Sequence, residues 1–345
     1  MKFICQPIIF CIFIILSTNY SFAQINLDCN DGIIEAENFV IQGQMENALK
    51  SYSAAFSDDC EVYAKDIDNA LNCAIDLGEF DKAIQLSRKL IKLGCTLDYF
   101  RNQESLSLMI SSSGWLDLIK SYPKLRSEYL ENVNQSLRSK IEELFHRDQY
   151  WRGRDPYYGE LKDSTFYEDS LIMGELEVIF KQYGYPNENE IGLFFQNDTT
   201  IAYSPIQLII IHNYNSADNY KVGPNWTELL NDQRKLGKLP SHSFAYLNDR
   251  SGDYRIDKGG FVIANILWVF DGKYYIEKRS DEKVNIINSL RIKYGLETLD
   301  ESIQKALFQI RVDSRFDFFH ASFVSSTYLP AELIEKLFSE VPGLK

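Results

Sequence analysis

Few side chains in this 345-residue sequence suit metal binding or redox chemistry. The chain has 6 cysteines and 4 histidines, and no cysteine follows Cys95. It contains no Cys-x-x-Cys pair, and His146, His242 and His320 lack the spacing typical of metal ligands. The sequence therefore predicts no metal site.

The common signatures of enzymes and cofactor-binding proteins are also missing. There is no Gly-x-Ser-x-Gly, no His-Glu-x-x-His, no phosphate-binding glycine loop and no dinucleotide fingerprint. We therefore expect no cofactor. The absence of these motifs does not exclude enzymes that use carboxylate pairs without a fixed sequence spacing, such as glycoside hydrolases.

Positive charge and long apolar runs are scarce as well. The net charge is −13, so the chain should repel nucleic-acid phosphates and anionic membrane surfaces. Beyond the N-terminus, the most apolar run is Ile206 to Ile211, far shorter than the ~18 residues of a membrane helix. We expect neither a nucleic-acid partner nor a membrane span.

The N-terminus has the layout of a secretory signal peptide. Lys2 supplies a positive start, Ile8 to Leu16 form a short apolar run, and Ser21-Phe22-Ala23 resembles a cleavage site. Residues 1–23 are therefore predicted to be removed. The remaining chain is expected to be secreted or periplasmic.

Four cysteines remain after this cleavage, and export favours their pairing. We expect Cys60 to pair with Cys29 or Cys95, since all three fall at the open end of predicted helix pairs, and we favour Cys29. Cys73 has no cysteine opposite it and is expected to be a buried free thiol.

Two similar segments follow the leader. Residues 43–49 and 78–84 align at a spacing of 35, with Gly43 over Gly78 and Ala48 over Ala83. Their spacing, glycine turn and small residue resemble tetratricopeptide repeats. The resemblance implies helix pairs over 32–42 with 46–56 and 62–77 with 81–93, and a surface suited to a protein partner.

The predicted fold is mainly α: tetratricopeptide-like helix pairs followed by a multi-helix domain with a small β-hairpin. The domains are predicted at 24–130 and 131–310, with a C-terminal extension over 311–345. Asp271-Gly272 suits the turn of a hairpin between Ile263–Phe270 and Lys273–Glu277. Ile206 to Ile211 suits a helix or a buried strand. From residue 104 to 136 the pattern stays helical but loses the repeat. The other predicted helices cover about 130–152, 167–183, 204–214, 225–236, 243–250, 283–294 and 299–310.

One predicted helix carries charges on its apolar face. Leu137, Ile141 and Leu144 define a buried stripe that continues onto Asp148 and Arg152. Two interpretations are open. The pair forms an internal salt bridge that ties helices together, or Asp148 and the neighbouring Gln149 face a ligand in a polar cleft.

Three further residues extend the candidate polar site. His212 follows an apolar run and is either a core imidazole or a general base. Asp249 and Arg250 close a predicted helix, where their side chains should point about 100° apart. The carboxylates of Asp253 and Asp257 that follow lack the spacing of a calcium loop.

These residues together resemble a bacterial domain family of unknown function. The resemblance covers about residues 135–310 and rests on Asp148-Gln149-x-x-Arg152, Tyr183-Gly184-Tyr185-Pro186 with Gly192, His212, Asp249-Arg250 and Arg291-x-x-x-Gly295-Leu296. Family members have a Tyr-Gly-Thr-Gln-like segment after Asp-Arg, whereas this chain has Ala264 to Phe270. The resemblance implies no reaction.

Two functions follow from these features. The first is a binding or scaffolding protein of the cell envelope, in which the helical repeats hold a partner protein. The second is an envelope enzyme, such as a hydrolase, with Asp148, His212 and Asp249 gathered in one cleft and Arg152 or Arg250 holding an anionic group.

Overall fold

The fold is described from a computed structural model of the chain. The structure describes residues 30–56, 60–154, 159–196, 200–202, 204–212, 214–215, 220–221, 226–250, 260–319 and 322–343. The predicted signal peptide, Cys29, Asp253, Asp257 and His320 lie outside these residues.

Helices dominate the described chain, which confirms the mainly α prediction. The helices of the first half are α1 (30–41), α2 (Met45–Ala55), α3 (Ala64–Asp76), α4 (Phe80–Leu93), α5 (Leu97–Arg101), a 3-10 turn (Glu104–Leu106), α6 (Ser107–Ile110), α7 (Ser113–Asn132) and α8 (Gln135–Arg152). Those of the second half are α9 (Lys162–Tyr183), α10 (Glu188–Ile191), α11 (Pro205–His212), α12 (Thr227–Lys235), α13 (Ser241–Arg250), α14 (Asp281–Lys293), α15 (Leu299–Arg311) and α16 (Ala331–Leu337).

The strands are short and form three small sheets. They are β1 (Phe194–Gln196), β2 (Thr200–Ala202), β3 (Tyr214–Asn215), β4 (Tyr220–Lys221), β5 (Leu267–Phe270), β6 (Lys273–Glu277), β7 (Val324–Ser326) and β8 (Phe338–Glu340). Strands β1 and β2 pair with each other, as do β3 and β4, and the third sheet has the order β7-β5-β6-β8.

The first two helix pairs turn through equivalent glycines. Gly43 and Gly78 have φ of 71° and 70°, a left-handed conformation that glycine adopts without strain. Each glycine N–H bonds back to the carbonyl three residues earlier. The predicted helix bounds agree with α1 to α4 within about two residues. The resemblance to tetratricopeptide repeats stays a prediction.

The predicted hairpin is present but belongs to a larger sheet. Strands β5 and β6 pair antiparallel across Asp271-Gly272, both of which have positive φ. Two strands of the last segment were not predicted: β7 adds parallel to β5, and β8 adds antiparallel to β6. Each has only three residues, too few for a period-2 pattern to show.

The apolar run Ile206 to Ile211 is a helix, so the strand alternative is wrong. Pro205 is the first residue of this helix, a position whose N–H would have no acceptor within the helix, so proline loses no hydrogen bond there. Ile206, Ile209 and Ile210 are buried while Leu208 is 40% exposed, a helical rather than an alternating pattern. The run therefore forms the inner face of α11.

The apolar side chains form two main cores. The first contains α1 to α7 together with residues near the C-terminus, such as Phe316, Phe318 and Phe319. The second extends from Leu137 in α8 to Leu296 after α14. The division into domains near residue 130 stays a prediction, but the segment predicted as a C-terminal extension packs into the core of the helix pairs.

A buried ionic network connects the helix pairs to the C-terminal half. Glu37 of α1 accepts from Lys65 of α3 at 2.7 Å and from Lys305 of α15 at 2.6 Å. Lys305 also lies 3.8 Å from Glu297, which pairs with Arg291 at 3.3 Å. Burial acts to raise the pKa of Glu37 and Glu297, but the surrounding cations outweigh it and lower both values. We call these five residues the junction network.

Two cysteines can be assigned. Cys73 and Cys95 are buried free thiols, which confirms the prediction for Cys73 and excludes Cys95 as the partner of Cys60. Burial raises the pKa of the Cys73 thiol to about 12, so it stays protonated and unreactive at neutral pH. Because Cys29 lies outside the described residues, its pairing with Cys60 stays a prediction.

Among the described residues, no helix has both the length and the apolar composition needed to cross a lipid bilayer.

Candidate functional site

Helix α8 ends its apolar face in a buried carboxylate. Leu137, Ile141 and Leu144 are buried in the second core, and Asp148 is only 2% exposed. The prediction that Asp148 points inward is confirmed. Because a lone buried carboxylate is unstable, its partners decide what it does.

Arg152 is the first of these partners. Its Nη1 donates to Asp148 Oδ1 at 2.9 Å, so the internal salt bridge proposed from the sequence is present. The same guanidinium donates to both carboxylate oxygens of Asp169 in α9, at 2.9 and 2.7 Å. This bidentate pairing joins α8 to α9.

Asp169 was not predicted, although the sequence contains a signal for it. It lies three residues from Phe166 and from Ile172, both buried on the inner face of α9, and is itself 3% exposed. This is the pattern that revealed Asp148, applied to a second helix. Burial raises the pKa of the Asp169 carboxyl, and Arg152 opposes the rise.

His212 joins the same group from the end of α11. Its Nδ1 lies 2.8 Å from Asp148 Oδ2, the oxygen that also accepts from Gln149 Nε2 at 2.6 Å. The His212 side chain is 24% exposed, whereas Asp148 is enclosed. Asp148, Gln149, Arg152, Asp169 and His212 thus form one cluster, which we call the α8 cluster.

Asp249 and Arg250 have other positions. The two Asp249 carboxylate oxygens accept from the backbone N–H groups of Phe261 and Ile263, at 2.7 and 2.6 Å. Asp249 thereby anchors the segment that leads into β5, and Arg250 is exposed near Tyr246. Within the described chain, no hydrogen bond or ion pair links either residue to the α8 cluster.

A cleft of about 590 Å³ lies where the helix pairs meet the second core. Asp68 of α3 and Tyr99 of α5 form part of one wall, and Glu188 of α10 and Leu208 of α11 form part of another. Asp317, after α15, lines it from the C-terminal segment. We call this space the junction cleft. It was not predicted, because its lining comes from distant parts of the sequence.

Three carboxyl groups in the junction cleft have raised pKa values, each mainly because of burial. The pKa is raised to about 7 for Asp68, to about 7 for Glu188 and to about 6 for Asp317. Asp68 accepts from the Tyr99 hydroxyl at 2.8 Å, and Glu188 accepts from the backbone N–H of Ala64 at 2.7 Å. Neither contact supplies a positive charge.

The cations around the cleft are paired with other acids. Lys65 binds Glu37 at 2.7 Å and Asp66 at 2.6 Å. Lys238 binds Glu190 at 2.6 Å. Arg315 donates to both carboxylate oxygens of Asp76, at 2.9 and 3.0 Å, and pairs with Asp313 at 2.5 Å. The three cleft carboxyls therefore have no salt-bridge partner among the described residues.

No group of three or more His, Cys, Asp or Glu side chains in the described part of the chain is arranged to hold a metal ion.

Replacing Asp148 with Asn should destabilise the protein by about 2–4 kcal/mol, because Arg152 and His212 lose a buried anionic partner while Arg152 keeps Asp169. Urea denaturation at pH 7 measures this change. The matched control is Asp117→Asn, since Asp117 pairs with Lys120 on the surface, with 68% of its side chain exposed. That change should stay within about 0.5 kcal/mol. Equal stability of both variants would contradict a structural role for Asp148.

The raised pKa values predict that stability falls as pH rises from 5.5 to 7.5. The folded protein binds protons at Asp68 and Glu188 up to about pH 7, whereas unfolded carboxyls release them near pH 4. The double variant Asp68→Asn, Glu188→Gln should remove about 1–2 kcal/mol of this decline, allowing for the partial exposure of both groups. Denaturation curves at several pH values give the difference.

A surface pair serves as the control for this experiment. Asp81→Asn with Glu131→Gln, both at exposed positions, should leave the pH dependence of the wild-type protein intact. The lowered pKa values of Glu37 and Glu297 act only below about pH 5, outside the measured range. Parallel curves for the wild type and the cleft variant would refute the assignment.

Comparison of the chain with protein-family models, with curated proteins and with solved structures gives no match. The resemblance of residues 135–310 to a bacterial domain family stays a prediction, and the function has to be argued from the geometry of the two polar sites.

Proposed function

We propose that the chain is an exported binding protein of the cell envelope whose ligand occupies the junction cleft. Export follows from the predicted signal peptide. The cleft is the observation that carries the proposal, because its volume of about 590 Å³ lies within the range of small-molecule and side-chain binding sites.

The composition of the cleft suits a ligand with both polar and apolar parts. Tyr99 and Tyr185 contribute aromatic surface, and Gln103 and Gln207 contribute amides. Leu208 is 40% exposed and lines the same space, so an apolar side chain is available to a ligand. Pockets that bind ligands combine apolar area with a few well-placed polar groups in this way.

The helix pairs form part of the cleft, which connects it to the binding of a partner protein. Residues of α3 and α5 line the cleft, so a segment of a partner protein held by the helical repeats can place a side chain there. The contact between the Tyr63 hydroxyl and the Gly237 carbonyl joins this wall to the second core. A wall anchored on both sides is pre-organised for binding.

Filling the cleft tests this proposal. Leu208→Trp adds bulk at an exposed position on the wall. It should raise the Kd of any cleft ligand at least about 10-fold, which corresponds to a loss of ~1.4 kcal/mol of binding free energy. Ligands are found by thermal shift over a library of polar small molecules and short peptides. A hit at 100 times its Kd stabilises the fold by about 2.7 kcal/mol and raises Tm accordingly.

Leu236→Trp is the matched control, because Leu236 is 48% exposed and does not line the cleft. It should bind every hit as the wild-type protein does. Hits that survive Leu208→Trp unchanged, or a library without hits, would overturn the proposal.

The α8 cluster favours a second function, that of a hydrolase. Asp148 holds Nδ1 of His212 at 2.8 Å and is enclosed, while the imidazole is partly exposed. A buried carboxylate on Nδ1 orients the ring and leaves Nε2 as a general base toward water or substrate. Asp249 holds the backbone of residues 261–263 and takes no part in this proposed reaction.

His212→Gln should reduce hydrolysis by at least about 100-fold, the usual contribution of a general base, while the melting temperature changes by only a few degrees. Fluorogenic ester, amide and glycoside substrates provide the assay. His146→Gln is the control, since His146 is exposed on the same helix as Asp148. Absence of hydrolysis by the wild-type protein on all three substrate classes would exclude this function.

A further inference from the structure

We propose that the ligand of the junction cleft presents an ammonium group, which binds among Asp68, Glu188 and Asp317. This inference rests on the proposed binding function. It adds the chemical class of the ligand: a primary or secondary amine that is protonated at neutral pH.

The charge balance of the cleft is the first argument. Asp68, Glu188 and Asp317 line one space, each is partly exposed, and none has a salt bridge with a described residue. Their partners are the neutral Tyr99 hydroxyl and the backbone N–H groups of Ala64 and Phe319. An ionised carboxyl group that is shielded from bulk water and has no cation beside it loses solvation free energy. A cation that binds next to it offsets a large part of this loss.

The protein's own cations do not fill this role. The Lys65 ammonium is held by Glu37 and Asp66, and its field only partly offsets the burial of Glu188 and Asp317. Lys238 is held by Glu190. Arg315, which also lines the cleft, is held by Asp76 and Asp313. In the described chain, none of these three cations forms an ion pair with Asp68, Glu188 or Asp317.

Tyr185 supplies an independent indication of a ligand. It is 2% exposed, lines the cleft, and its hydroxyl makes no hydrogen bond of standard geometry with a described atom. Burial raises the pKa of this hydroxyl, and the nearby Ser204 and Gln207 side chains oppose the rise. A buried hydroxyl oxygen with free capacity can accept a hydrogen bond from an ammonium N–H.

Aromatic rings complete a site of this kind. Tyr63 and Tyr99 line the cleft beside the acids, and the hydroxyl of Tyr99 is already engaged by Asp68. Ring faces next to carboxylates attract ammonium groups by cation–π contact in addition to charge. An ammonium is available either from a lysine side chain of a partner protein or from a free polyamine, and the test has one arm for each source.

The test is isothermal titration of the chain from residue 24 onward with two probes, spermidine and an acetylated, amidated Ala-Lys-Ala tripeptide. The same tripeptide with an acetyl-lysine is the neutral control. The cleft variant carries Asp68→Asn, Asp317→Asn and Glu188→Gln, changes that mimic protonated carboxyls and should leave the fold intact by circular dichroism. At least one probe should bind, with a Kd that rises about 30-fold or more in the cleft variant.

A surface variant separates this site from general attraction to a chain of net charge −13. It carries Asp81→Asn, Asp117→Asn and Glu131→Gln, three exposed positions outside the cleft, and removes the same number of carboxyl groups. Its Kd should change by less than about 3-fold, since exposed charges at a distance are screened. Binding of spermidine alone, of the lysine peptide alone or of both supports the inference and identifies the source.

Two outcomes overturn it. Equal losses in the cleft and surface variants would mean non-specific charge attraction. A cleft ligand that is sensitive to Leu208→Trp but carries no ammonium, with both probes inactive, would refute the ammonium inference while the proposed binding function stands. If no ligand of any class is sensitive to Leu208→Trp, the binding function itself fails.

Discussion

The architecture depends on charges that are buried together where the helix pairs meet the C-terminal half. Glu37 binds Lys65 and Lys305, and the Lys305 side chain is fully enclosed. Removing one partner would leave an uncompensated charge in the interior, which is far less favourable than the intact group. The helix pairs are therefore fixed against the C-terminal half in one arrangement, although two pairs alone bury too little surface to be stable.

The junction cleft is a consequence of this arrangement. Lys65 belongs both to the junction network and to the wall of the cleft. Its ammonium is bonded to Glu37 and Asp66, and its field only partly offsets the burial of Asp317 and Glu188. The bond from Lys65 to Glu37 fixes α3, which also carries Asp68, against α1. The network therefore holds one wall of the cleft in place.

The sequence predicted what is local and missed what is distant. The positions of most longer helices, the hairpin at Asp271-Gly272 and the inward position of Asp148 follow from patterns within about 20 residues, and each is present. The start of α9 at Lys162, five residues before the predicted one, and the short helices α10 and α16 were not predicted. The bond from Lys305 to Glu37 joins residues 268 positions apart, and no periodicity reports such a contact. The cleft could not be predicted for the same reason. Asp169 could have been predicted, because it interrupts the apolar face of its own helix.

The two polar sites differ in how completely the protein satisfies them. In the α8 cluster, both oxygens of Asp148 are occupied, and Arg152 is shared by two carboxylates, so most of its hydrogen-bonding capacity is spent on joining helices. In the junction cleft, Asp68 and Glu188 have neutral partners only. A satisfied buried network stabilises a fold, whereas an unsatisfied one has interaction energy left for something that enters from outside. This difference is the physical reason why we propose ligand binding in the cleft and a stabilising role for the α8 cluster.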